Sequence, residues 1–159
     1  MIGLIDADSV KLCTKCNITK SVLEFSNQKF RNDGLYPFCK TCLKNENFKY
    51  KTSINGLINS TYSGMKRRVN STNPEHKYWF KKEILLKSEF ITLINLNKFK
   101  CLRLYVNWKI NNFNKNLTPS VDRINSNIGY TKTNITFIPT QENRYKAVLK
   151  RWEKQQLLT

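Results

Sequence analysis

Residues 119–146 read PSVDRINSNIGYTKTNITFIPTQENRYK, and this stretch decides the fold of the C-terminal part of the chain. Residues 120–124 alternate polar and apolar side chains as a strand does, and residues 135–138 predict a second strand. The loop between them is rich in turn-forming residues and contains Gly129. A helix is expected after Pro139, which ends the second strand. The predicted order is therefore strand, loop, strand, helix.

The final helix is predicted from its start signals and its periodicity. Thr140 can cap it, and Glu142 places a negative charge in its first turn. One face is apolar at helical spacing, with Tyr145, Val148, Leu149 and Trp152. Another face is basic, with Lys146, Lys150 and Lys154.

Two Cys-x-x-Cys pairs near the N-terminus predict a metal site. Cys13 and Cys16 are separated from Cys39 and Cys42 by 22 residues, a spacing typical of tetrahedral zinc sites. Four thiolates leave no open position on the ion, which predicts a structural Zn²⁺. Unliganded cysteines and a redox pair are the alternatives. The fifth cysteine, Cys101, is interpreted as a small core residue, and the odd total argues against a disulfide framework.

The charge of the chain favours a polyanion as partner. Its 28 lysine and arginine residues exceed 11 acidic residues, for a formal net charge of +17 in 159 residues. An AT-rich genome would enrich lysine without any such partner, but it does not account for so few acidic residues. Neither an apolar run of about 18 residues nor a signal peptide occurs, so we expect an intracellular, cytoplasmic protein with no membrane partner.

The middle of the chain is predicted to be largely helical. One helix has its apolar face at Ile54, Leu57, Ile58, Tyr62 and Met65, and it ends in Lys66, Arg67 and Arg68. A second helix is expected to follow Ser88, a plausible N-cap. Residues 101–108 resemble a short strand, and residues 12–42 are interpreted as turns and short strands. The expected fold class is α+β, with a zinc-bound module (1–50), a helical segment (51–100) and a C-terminal domain (101–159).

Four short motifs in residues 100–150 resemble HNH endonucleases of the kind common in bacteriophages. They are residues 119–124, Gly129-Tyr130, residues 133–135 and residues 143–146. The chain also resembles the subset of that family in which a CxxC…CxxC module precedes the nuclease part. The resemblance implies a ββα-metal unit, DNA as substrate and a phage or mobile-element origin, including homing-type enzymes.

The same resemblance assigns roles to residues of the C-terminal segment. Asp122 and Asn143 correspond to the metal-binding positions, and Asn134 corresponds to the asparagine that fixes the loop. Oxygen ligands of this kind suit Mg²⁺ or Mn²⁺, which would also hold the scissile phosphate. The departure from the pattern is Arg123, which stands where a histidine general base is common and which cannot accept a proton.

Two interpretations of Arg123 follow. In the first, another group or a metal-activated water supplies the nucleophile while Arg123 stabilises phosphate charge; in the second, the site only binds DNA. His76 and Tyr130 are candidate bases, although a solvated loop residue and a packing residue are the simpler interpretations. The carboxylates of Asp6 and Asp8 are interpreted as solvated.

The sequence thus predicts a metal-dependent DNA endonuclease, acting as a monomer or homodimer without a small-molecule cofactor. The alternatives are a catalytically inactive, zinc-containing DNA-binding protein and an RNA-binding zinc protein. Six basic residues are expected to contact nucleic acid: Lys66, Arg67, Arg68, Arg144, Lys146 and Lys150.

Overall fold

The computed structural model describes residues 9–73 and 81–156. The described residues form a mixed α and β fold with five α-helices and three two-stranded sheets. Residue contacts divide the chain into two compact units, 1–51 and 52–159. The predicted middle and C-terminal segments therefore belong to one unit. Asp6, Asp8 and His76, which the sequence raised as candidates, lie outside the described residues.

The first unit consists of two small hairpins followed by a helix. Strands β1 (Val10–Leu12) and β2 (Thr19–Ser21) are antiparallel, as are β3 (Phe25–Asn27) and β4 (Leu35–Cys39). Helix α1 (Lys40–Thr52) begins directly after β4. The interpretation of residues 12–42 as turns and strands is therefore wrong at its end, because Cys42 lies in the first turn of a helix. The core of the unit is small and consists of Cys13, Val22, Phe25, Leu35 and Cys39.

The second unit contains the other helices and one hairpin. Helices α2 (Ile54–Asn70), α3 (Lys87–Leu96) and α4 (Lys98–Ile110) precede the antiparallel strands β5 (Pro119–Arg123) and β6 (Ile135–Pro139), and helix α5 (Thr140–Gln156) follows. The predicted order strand, loop, strand, helix is observed. Helix α5 begins at Thr140 itself, so this residue is not the cap that precedes the helix.

Residues 101–108 are helical, and the expectation of a strand there is wrong. Helix α4 is apolar on two faces, which obscures the helical period in the sequence. Cys101, Leu104 and Trp108 lie on the face that packs inward, whereas Phe99 and Ile110 are 90% and 71% exposed on another. The interaction that fixes the helix is therefore tertiary packing rather than a clear amphipathic pattern.

The start of α3 also differs from the prediction. Leu86 is the N-cap residue, and the side chain of Glu89 accepts a hydrogen bond from its backbone N–H at 2.8 Å. Ser88 lies inside the helix and does not cap it. A glutamate three residues beyond the cap satisfies one of the unpaired N–H groups at the helix start, as a capping serine would do from the cap itself.

One apolar core joins α2, α3 and α4 of the second unit to the hairpin. Its buried members are Met65, Val69, Leu85, Phe90, Val121, Tyr130 and Phe137. They come from α2, from α3 and the segment before it, and from β5, β6 and the loop between these strands. The core thereby fixes the last turns of α2 against β5.

Helix α5 does not bury the apolar face that its sequence predicts. Tyr145, Val148 and Trp152 are exposed, the last of these by 60%, and Leu149 is also exposed. The helix contacts β5 and β6, and Asn143 near its start donates to the carbonyl of Val121 in β5. No helix in the described ranges has the length and hydrophobicity required to cross a bilayer.

Candidate metal sites and cleft

Four cysteines of the first unit converge on one point. The sulfur atoms of Cys13, Cys16, Cys39 and Cys42 all lie within 4.8 Å of one another. Cys13 and Cys39 are buried, and Cys16 and Cys42 are partly exposed. Four thiols at these distances can hold a structural metal ion such as zinc. The predicted cluster is therefore present, while Cys101 lies apart from it in α4 as expected.

Backbone hydrogen bonds shape the first Cys-x-x-Cys turn. The N–H of Cys13 donates to the carbonyl of Ile18 at 3.0 Å, and Asn17 adopts a left-handed conformation with φ of 56°. The N–H of Cys39 donates to the sulfur of Cys13 at 3.2 Å. Such bonds stabilise a thiolate, which is the form that binds a metal.

The thiols of the cluster differ in pKa, because thiolates so close together repel one another. Burial raises the pKa of the Cys13 thiol, but hydrogen bonds from the backbone of Cys39, Cys16 and Lys15 outweigh burial and bring the pKa to about 6. Hydrogen bonding to the Cys39 side chain, followed by burial, raises the pKa of Cys42 to about 12. A dication would relieve the mutual repulsion of the thiolates, and so the donor set fits Zn²⁺.

In the second unit, Asn134 fixes the loop that joins β5 and β6. Its Oδ1 accepts from the N–H of Asn125 at 2.7 Å, and its Nδ2 donates to the carbonyls of Asn125 and Gly129 at 2.9 and 2.8 Å. The side chain is buried, with the residue only 5% exposed. The buried side chain of Asn134 thus stabilises the loop by hydrogen bonds to its backbone.

Arg123 ends β5 with its guanidinium turned into the same loop. Its Nη1 donates to the carbonyl of Ile128 at 2.9 Å, and its Cζ lies 5.6 Å from the centre of the Tyr130 ring. The residue is 5% exposed, and this burial lowers the pKa of Arg123 from its usual value. Arg123 therefore has a clear role in holding the loop.

Asp122 of β5 and Asn143 of α5 line the same cleft. The Nδ2 of Asn143 donates to the carbonyl of Val121 at 3.1 Å and to the hydroxyl of Ser120 at 3.3 Å. This orientation leaves its carbonyl oxygen Oδ1 as the atom available to a cation. The Asp122 side chain is 19% exposed, and its Oδ2 lies 3.5 Å from the ammonium nitrogen of Lys146.

A cleft of about 460 Å³ opens beside these groups. It is lined by Asp122 and Arg123 of β5, by Asn143 and Arg144 of α5, and by Arg67 and Arg68 of α2. The structure thus brings a carboxylate, an amide and four arginines to one cavity. Such a combination can bind a cation and a phosphate side by side.

Not every predicted site residue lines this cleft. Lys66 is exposed outside it, and Asn134 acts on the loop behind it. The side chain of Lys150 lies outside the described part of the chain.

Sequence reasoning missed two contacts at the cleft. The Arg68 guanidinium donates to the hydroxyl of Tyr130 at 3.1 Å. Lys146 lies between Asp122 and Glu142, at 3.5 and 3.7 Å from one oxygen of each. The spacing of Glu142 and Lys146, four residues apart on a helix, was a usable signal for the second contact. The first contact, between Arg68 and Tyr130, joins residues 62 positions apart, and no signal in the sequence predicts it.

A second cavity, of about 250 Å³, is lined mainly by apolar side chains of α2, α3 and α4. It offers few polar groups.

Comparison with family models, curated proteins and solved structures finds no match to the chain.

Proposed function

We propose that this protein is a metal-dependent DNA endonuclease of the HNH type, in which a ββα-metal unit hydrolyses phosphodiester bonds and a zinc module accompanies it. The proposal rests on the resemblance carried by residues 119–146 and on the chemistry of the cleft. DNA is the proposed partner, and the net charge of +17 supports it.

The observation that carries the proposal is that Asp122 and Asn143 line one cleft. They come from a strand and from the first turn of the following helix, 21 positions apart, and both line the same cavity as Arg67 and Arg68. A carboxylate on its own could simply form an ion pair with a lysine. A carboxylate beside an amide oxygen and several arginines supports a site for a divalent cation and a phosphate diester.

The residues fit Mg²⁺ or Mn²⁺ as the catalytic ion, because both prefer oxygen ligands and retain several water molecules. Such an ion would polarise the phosphate and lower the pKa of a water molecule. Asp122 and Asn143 would hold it, and Asn134 would keep the β5–β6 loop in place. Arg67 and Arg144, both exposed at the rim, would contact the DNA backbone.

Neither Arg123 nor Tyr130 is suited to act as a general base. Arg123 remains protonated at neutral pH, and its buried guanidinium serves the loop. Burial raises the pKa of the Tyr130 hydroxyl above its usual value, so the phenol also keeps its proton at neutral pH. The proposal therefore relies on activation of water by the ion, with arginines stabilising the phosphate charge.

The second candidate function is a zinc-containing DNA-binding protein that does not cleave. The observation that favours it is Arg123 itself, a buried arginine at the position where the resembled family commonly has a histidine. Such a protein would bind DNA with a steep salt dependence whether or not Mg²⁺ is present.

The deciding experiment measures nicking of supercoiled plasmid and of phage DNA by the full chain in Mg²⁺ or Mn²⁺. We expect cleavage that EDTA abolishes and that Asp122→Asn reduces at least about a hundredfold, because this change removes one negative charge from the ion site. Glu24→Gln is the matched control, since Glu24 pairs with Lys20 in the first unit. Equal activity of Asp122→Asn and the wild type would refute the assignment. Absence of cleavage with intact DNA binding would favour the second candidate.

A further inference from the structure

Arg68 differs from the other basic residues at the end of α2. Arg67 and Arg68 both line the cleft with Asp122 and Asn143, but Lys66 and Arg67 are exposed, whereas Arg68 is half-buried. Its Nη1 donates to the Tyr130 hydroxyl at 3.1 Å. The guanidinium is therefore held at a defined place in the cleft.

Tyr130 is a rigid partner for Arg68. It is 1% exposed, its N–H donates to the carbonyl of Glu83 at 2.8 Å, and its own carbonyl accepts from the N–H of Leu85 at 2.8 Å. The preceding residue, Gly129, is held by the side chain of Asn134. The hydroxyl of Tyr130 thus cannot shift without disturbing the loop and the segment before α3.

We propose that Arg68 binds the non-bridging oxygens of the phosphate on which the cleft acts, and that Tyr130 is the positioning residue that orients its guanidinium. This inference rests on the proposed nuclease function and adds a residue from outside the ββα unit to its site. A planar guanidinium matches the oxygens of a phosphate better than an ammonium group does. A donor fixed in advance also stabilises the charge that develops there without having to reorganise.

A composite site follows from this assignment. The ββα segment supplies the cation ligands Asp122 and Asn143, and α2 supplies the anion-binding group. The end of α2 is then part of the active site, and Arg68 has a role that its neighbours Lys66 and Arg67 do not share. Removal of the charge at position 68 should consequently affect cleavage far more than removal of a charge outside the cleft, such as that of Lys132.

The first test compares Arg68→Met with Lys132→Met, since each removes one positive charge from the second unit and Lys132 pairs with Glu89 instead of lining the cleft. Under single-turnover conditions in Mn²⁺, we expect Arg68→Met to slow nicking about a hundredfold. Lys132→Met should change the rate less than about threefold. Arg68→Lys, which keeps the charge and loses the planar donor set, should still nick at least about tenfold more slowly than the wild type. Equal rates for Arg68→Met and Lys132→Met would overturn the proposal.

The second test needs no cleavage and so separates this inference from the nuclease function. Binding of inorganic phosphate in EDTA is followed by NMR on wild type, Arg68→Met, Lys132→Met and Tyr130→Phe. We expect the Kd to rise about tenfold in Arg68→Met and to stay within about twofold in Lys132→Met. Tyr130→Phe should raise the Kd only when Arg68 is present, as a double-mutant cycle would show. A wild type that binds no phosphate, or a Tyr130→Phe effect independent of Arg68, would overturn the assignment even if the protein cleaves DNA.

Discussion

The ammonium nitrogen of Lys146 lies 3.5 Å from a carboxylate oxygen of Asp122, the residue proposed to hold the catalytic ion. The same ammonium lies 3.7 Å from Glu142, so it is a cation between two carboxylates. A divalent ion at Asp122 must compete with this lysine.

The first prediction concerns this competition. Lys146→Met should tighten Mn²⁺ binding about fivefold, because a partly exposed ion pair contributes up to about 1 kcal/mol. The measurement is the free Mn²⁺ signal in electron paramagnetic resonance during titration of the protein without DNA. Lys132→Met is the matched control, since Lys132 pairs with Glu89 instead. Weaker Mn²⁺ binding in Lys146→Met would show that the lysine does not compete with the ion.

A second prediction concerns the buried amide of Asn134. Asn134→Ala removes three hydrogen bonds and leaves buried carbonyl and N–H groups of the loop without partners. The free energy of unfolding of the second unit should fall by about 2–4 kcal/mol. Urea denaturation followed by tryptophan fluorescence measures it. Asn127→Ala in the same loop is exposed and should cost less than about 0.5 kcal/mol. Equal losses in the two variants would contradict the role given to Asn134.

Sequence reasoning was most successful where local patterns carry the information. The two Cys-x-x-Cys pairs predict a cluster because two ligands of each pair are already close along the chain, and the structure confirms that cluster. The hairpin of residues 119–139 has a clear alternation and a turn-rich loop, and it is observed. The helix at the end of the chain follows from its periodicity.

The errors arise where tertiary packing overrides local pattern. Helix α4 resembles a strand in the sequence because Phe99, Leu102, Val106 and Ile110 add an exposed apolar face to the buried one. At the cleft, Arg68 and Tyr130 meet only because α2 and the β5–β6 loop share a core through Met65 and Tyr130. No spacing rule connects residues so far apart. The buried setting of Arg123 depends on the same long-range packing.

The third prediction concerns metal removal from the cysteine cluster. The purified protein should contain one Zn²⁺ per chain, and Cys39→Ser should lose it together with the dispersed NMR signals of the first unit. Among the described residues of that unit, five form its buried core and two of these belong to the cluster, so we expect the unit to depend on the ion. Cys101→Ser is the matched control, because Cys101 lies outside the cluster. Retention of a folded first unit in Cys39→Ser would contradict a structural role for the metal.

The same cluster predicts a dependence on pH. Zinc requires thiolates, and the pKa of Cys13 is lowered from the usual value of 9.0 to about 6. Stability from a group with a lowered pKa is present at high pH and is lost as the pH falls through the pKa of the folded state. Protons also compete with zinc for the other three thiolates, so zinc affinity should fall as the pH falls, and zinc should be bound at neutral pH and released in acid. Release into a chromophoric chelator, measured at a series of pH values, checks this. Retention of zinc at pH 4 would contradict it.

The last prediction contrasts two glycines of the second unit. A Cβ at Gly129 would lie 2.1 Å from the carbonyl oxygen of Glu83 and 2.7 Å from its nitrogen, and these are backbone atoms that cannot move alone. Gly129→Ala should force the loop away from Glu83, and with it the neighbouring Tyr130. We expect a loss of at least about 2 kcal/mol in the free energy of unfolding.

Gly64→Ala should have the opposite effect. Gly64 lies within α2, and a Cβ there meets no atom within 4 Å. Alanine is favoured over glycine in a helix by about 1 kcal/mol, so this variant should be more stable than the wild type. Both are measured by urea denaturation of the full chain.

Because Gly129→Ala displaces Tyr130 and so releases Arg68, it should also weaken phosphate binding in EDTA, even under conditions in which the variant remains folded. Unchanged phosphate binding in folded Gly129→Ala would show that the position of Arg68 does not depend on the stability of the loop.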